Sequence, residues 1–126
     1  MGAGNFNIKS LLLCLRDGLS GVCDNIFPTS RPNSDTMNEF IIISYPNRIQ
    51  DNKAYGTTYC WIELYVKDLT GGVENLPAIS ALQDKVYSKL PISTGTYLIS
   101  NPTIMAHESD TVGFHYLSIR CNVLIV

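Results

Sequence analysis

Thr57-Thr58-Tyr59-Cys60-Trp61-Ile62-Glu63-Leu64-Tyr65-Val66-Lys67 is the stretch that decides the fold class. Side chains of a strand alternate between two faces. Thr58, Cys60, Ile62, Leu64 and Val66 form an apolar face that belongs on a core. Thr57, Tyr59, Trp61, Glu63, Tyr65 and Lys67 form the opposite face, where charges mix with large aromatic rings. A sheet face open to water is normally polar. Rings at Tyr59, Trp61 and Tyr65 therefore call for a cover, supplied by a segment of the same chain or by another subunit.

On the C-terminal side, Asp68–Gly72 reads as a turn. A helix is predicted from about Asn75 to Leu90, with Asn75 as its cap and Pro77 in the first turn, where no amide donor is needed. Ile79, Leu82, Val86 and Leu90 form its buried stripe, with Tyr87 beside it. Thr96–Met105 reads as a strand interrupted at Pro102, which implies an edge strand or a bulge. His107–Val112 reads as a polar turn. A long strand closes the chain, with His115, Leu117, Ile119, Cys121, Val123 and Ile125 inward. Phe114, Tyr116, Ser118, Arg120 and Asn122 point outward, and Phe114 and Tyr116 extend the aromatic face.

On the N-terminal side, Phe40–Tyr45 reads as a strand stopped by Pro46, and Asn47–Lys53 as a polar loop of mixed charge. Thr29–Asn38 is another polar loop. Val22–Phe27 is a short strand stopped by Pro28. Residues 7 to 19 form an amphipathic helix capped by Asn7, with Ile8, Leu12, Leu15 and Leu19 at helical spacing and Leu11 alongside. The order is α-β-β-β-α-β-β. It predicts one α+β domain over residues 1–126, with a mainly antiparallel sheet of four to five strands and both helices packed on one face.

The chain has 126 residues, enough for one two-layer core. Nine basic residues against eleven acidic ones give a net charge of −2 with no basic cluster, which argues against tight nucleic-acid binding by a monomer. Only 16% of residues are charged, and seven Tyr with one Trp favour apolar contact with a partner. The apolar stretch Ile8–Leu15 is too short to span a membrane, and no signal peptide is recognisable, so a cytoplasmic origin is expected. Cys14, Cys23, Cys60 and Cys121 form no Cys-x-x-Cys pair and read as reduced, small apolar core residues.

Motifs for chemistry are weak. His107-Glu108-Ser109-Asp110 gathers catalytic residue types, but sequence neighbours do not converge on one atom, and the spacing is not that of a zinc helix. Gly2-Ala3-Gly4 has no strand before it, and Gly18-Leu19-Ser20-Gly21 is not a nucleophile elbow. No catalytic residue, cofactor or metal is expected.

The order of short anchors resembles that of a known family. Phe27-Pro28 follows a leading helix, and Ser44-Tyr45-Pro46 ends a hydrophobic strand. Trp61-Ile62-Glu63-Leu64-Tyr65-Val66-Lys67 forms the aromatic strand, and Leu90-Pro91 ends the second helix. Glu108-Ser109-Asp110 and Gly113-Phe114-His115-Tyr116 open the last segment. Over nearly the whole chain this is similar to the tail-terminator (tail-completion) proteins of tailed bacteriophages and to related head–tail joining proteins. The resemblance implies a non-enzymatic virion protein that is assembled in the host bacterial cytoplasm. It would close into a homo-oligomeric ring against portal, connector or tail proteins, with DNA passing through a central channel unbound. Tyr59, Trp61, Tyr65, Phe114 and Tyr116 are then the expected subunit interface. Asn47, Arg48, Gln50, Asp51, Asn52 and Lys53 would face the channel or a neighbouring ring. Two other readings compete with it. One is a small-ligand-binding domain with Tyr59, Trp61 and Tyr65 around a pocket under the helices. The other is an enzyme using His107, His115 or a cysteine, which would require His107, His115 and a carboxylate to converge in a cleft.

Overall fold

A computed structural model describes residues 8–28, 37–45, 50–51, 56–109 and 113–125. The elements in chain order are α1 (Ile8–Gly18), β1 (Ile26–Pro28), β2 (Glu39–Ser44), β3 (Gln50–Asp51) and β4 (Gly56–Lys67). They continue with α2 (Leu76–Lys89), β5 (Ile92–Ser93), β6 (Tyr97–Ser109) and β7 (Phe114–Ile125). Six strands run side by side in the order β1-β2-β4-β7-β6-β5, and β3 pairs with β4 off this path.

This corrects the expected sheet of four to five mainly antiparallel strands. Among the described residues the sheet has seven strands and is mixed, because β1 runs parallel to β2 with Ile26 opposite Ile41. The two additional short strands, β3 and β5, have two residues each. Neither is long enough to show an alternating pattern, so neither is visible as a periodicity. Gln50 and Asp51, expected in a loop, pair with Thr57 and Gly56 as β3. Asn47, Arg48, Asn52 and Lys53 lie outside the described residues, as does Asn7, the expected cap of α1. His107–Ser109, expected in a turn, instead continue β6, and Ser109 pairs with His115.

The principal core lies between the helices and one face of the sheet. Leu11, Leu15 and Leu19 recur every four residues and are fully buried; Ile79, Leu82 and Val86 do the same work from α2. They meet Ile41 and Ile43 of β2, Cys60 to Val66 of β4 at every second residue, and Leu117 to Ile125 of β7. Full burial of one such aliphatic side chain contributes roughly 1.5–3 kcal/mol. Asn75 starts α2: its Oδ1 accepts from the Ala78 amide at 3.3 Å, and a proline in the first turn loses no bond.

A second, smaller cluster sits on the far side of the sheet. Phe40, Ile42 and Phe114 are buried there, with Phe27, Met37 and Tyr65 packed against them. Phe40-Ile41-Ile42-Ile43 is therefore buried on both faces, which accounts for its unbroken apolar run.

Candidate functional site

The far face of the sheet is built by register. β2, β4, β7 and β6 are aligned so that Phe40 stands opposite Tyr65, Tyr65 opposite Tyr116, and Tyr116 opposite Glu108. Directly opposed side chains are close enough to touch, and these form a continuous row. Phe40 stacks on Tyr65 with centroids 4.7 Å apart and planes 7° from parallel. Tyr65 stacks on Tyr116 at 5.2 Å. Phe114 meets Phe40 edge-on at 5.4 Å, and Phe27 does so at 6.4 Å. The Tyr116 hydroxyl ends the row by donating to Glu108 Oε2 at 2.9 Å, a bond that raises the phenol's pKa.

Further along the same face, Trp61 stands between Ser44 and Arg120 in register, and Tyr59 opposite Asn122. The Arg120 guanidinium lies 4.5 Å from the centre of the Tyr59 ring, within cation–π range. Tyr59 is 43% exposed, and Trp61 and Tyr116 are partly exposed. Glu63 sits between these two regions, opposite Ile42 and Ser118. Burial raises its pKa, and a hydrogen bond from Ser118 pulls the other way.

The five residues expected at an interface therefore divide. Tyr59, Trp61 and Tyr116 reach the surface. Phe114 does not: it is 2% exposed and belongs to the chain's own second cluster. The correction has a clear cause, since strand alternation shows which face Phe114 is on but not that Phe40 and Ile42 occupy that face beside it. Tyr65 is held between Phe40 and Tyr116 and is only partly exposed. Sequence reasoning missed Phe40 and Glu108 as members of this face, and it read Arg120 as outward on the last strand without joining it to Tyr59. The unbroken run Phe40–Ile43 carried the signal for Phe40.

The rings lie on the face turned away from the helices, so Tyr59, Trp61 and Tyr65 do not line a space beneath them. The two histidines each have a carboxylate partner. His115 Nδ1 is 2.6 Å from Asp68 Oδ1, and His107 Nε2 contacts Glu74 Oε2. Each thus pairs with its own carboxylate in the connection between β4 and α2. Among the described residues no group of three His, Cys, Asp or Glu side chains is placed to hold a metal ion. Among them, too, no helix is long and apolar enough to cross a membrane.

No protein-family model matches this chain, and no characterised protein matches its sequence.

Proposed function

We propose that the chain is a structural virion subunit that closes into a homo-oligomeric ring at the neck or tail of a tailed bacteriophage, as a tail terminator or head–tail connector. The observation that carries this reading is that Tyr59, Trp61 and Tyr116 reach the surface, the first two beside Arg120, on a sheet face that the helices do not cover. Tyr, Trp and Arg are the residue types enriched where proteins associate, and patches of this kind mark such sites. The order of short anchors along the chain supplies the choice of family. In this reading the subunit assembles in the host cytoplasm, contacts portal, connector or tail proteins, and lets DNA pass without a specific grip. Repeated head-to-tail contacts close when the rotation per subunit divides a full turn.

Light scattering and negative-stain electron microscopy test it, on the protein alone and mixed with an extract of neck and tail components. Annular particles of defined mass are expected. Trp61→Ala and Tyr59→Ala should each lower the assembled fraction at least about tenfold, as loss of a hot-spot aromatic does. Their circular dichroism should match that of the parent. A parent that stays monomeric in both settings, or folded variants with unchanged assembly, would overturn the reading.

A further inference from the structure

We propose that Cys60 and Cys121 form an oxidisable dithiol site, which a peroxide closes into a disulfide joining β4 to β7. The two residues stand directly opposite each other in the antiparallel register. Both are free, and both are 0% exposed. Directly opposed residues have Cα atoms about 4.5 or 5.5 Å apart, depending on their place in the ladder. Either separation lies within the roughly 4.4–6.8 Å that a disulfide spans. The Cα separation therefore does not stand in the way of the bond.

In this register the two sulfurs also interact with each other, and the thiols titrate as a coupled pair. That interaction lowers the pKa of Cys121 against the effect of burial and raises that of Cys60. The first proton therefore leaves Cys121, and the resulting thiolate sits in contact with a thiol. Cys14 and Cys23 lack this arrangement, and burial raises the pKa of both.

Hydrogen peroxide is the oxidant. The Cys121 thiolate attacks one peroxide oxygen: an S–O bond forms, the O–O bond breaks, and hydroxide takes up the released proton to become water. Cys121 is then a sulfenic acid. The Cys60 sulfur attacks the Cys121 sulfur: the S–S bond forms, the S–O bond breaks, and the oxygen leaves as a second water carrying the Cys60 proton. Two thiols lose two hydrogens, and one peroxide becomes two waters.

The test treats the folded, full-length protein with hydrogen peroxide, alkylates the remaining thiols in denaturant, and maps unreduced peptides by mass spectrometry. The expected product is a Cys60–Cys121 cross-linked peptide lacking two hydrogens, with Cys14 and Cys23 alkylated and all four thiols recovered after dithiothreitol. A Cys14→Ser/Cys23→Ser variant should form the link within about twofold of the parent rate. Cys121→Ser should slow oxidation of Cys60 by about tenfold or more, since the activated sulfur is gone. Oxidation confined to Cys14 or Cys23, a Cys14–Cys60 link, or a Cys60–Cys121 link that appears only after unfolding would each overturn the proposal.

Discussion

Glu63 stands in the middle of the aromatic face, where a carboxylate is least at home. Burial raises its pKa, and the Ser118 hydroxyl only partly offsets that. The sign follows from linkage. A carboxyl whose folded pKa is raised binds its proton more tightly when folded, so stability falls as pH rises through the folded pKa. Glu63→Gln removes the desolvated charge and keeps an acceptor for Ser118. Its Tm should exceed that of the parent at neutral pH, and the gap should close below about pH 4, where Glu is protonated in the unfolded chain as well. Thermal unfolding followed across that range checks it, and a gap independent of pH would count against the assignment. Residues such as Glu63 also show where the reading of the sequence ran out. Alternation placed Tyr59, Trp61, Glu63 and Tyr65 together, because a period of two is a property of one strand. It could not bring Phe40 or Glu108 to that row, or set Ser118 opposite Glu63 and Arg120 opposite Trp61, because such neighbours depend on register between distant strands.

Elements with strong internal periodicity were legible for the same reason. β4, β7 and both helices carry their pattern within a dozen or so residues. β3 and β5 exist only because a longer neighbour offers free backbone groups, which leaves no local trace. Yet β5 fixes how α1 is seated. A methyl group added at Gly18, the last residue of α1, would lie 2.6 Å from Ile92 Cδ1 and 2.9 Å from both its Cγ atoms. Ile92 is 7% exposed and β-branched, so it has little room to turn aside. Gly18→Ala should therefore cost about 1–3 kcal/mol through overpacking, despite the better helix propensity of alanine. Combined with Ile92→Ala, the two changes should be less than additive, since the truncated side chain makes room for the new methyl. Urea denaturation of the parent, both single variants and the double variant measures the coupling; strict additivity would show that the helix end is not held this way.

At the scale of the whole molecule, the sheet has two unequal edges. One is β1, three residues long and ending at Pro28. The other is β6, which β5 covers only at Leu98 and Ile99. From Asn101 to Ser109, β6 has β7 as its single strand neighbour among the described residues. An open edge of this length invites another strand, and proteins that must stay separate blunt it with bulges, proline or lysine. Here register shifts fall between Ser100 and Thr103 and between Ile104 and Ala106, with Asn101 at a positive φ of 55° and Pro102 next to it. The first of these, with Asn101 and Pro102, protects the part of the edge nearest β5. At the second, Ile104 is 48% and Met105 is 45% exposed, and no lysine lies anywhere in β6. A subunit that adds to its neighbour in a ring has reason to leave that stretch apolar. Met105→Lys places a charge there while disturbing little, so monomer stability should stay within about 0.5 kcal/mol of the parent. Under the ring reading it should lower the assembled fraction as Trp61→Ala does, because edge and aromatic face would be covered together. Light scattering of the two variants side by side distinguishes the cases: a Met105→Lys protein that assembles like the parent would confine the subunit contact to the face around Tyr59 and Trp61.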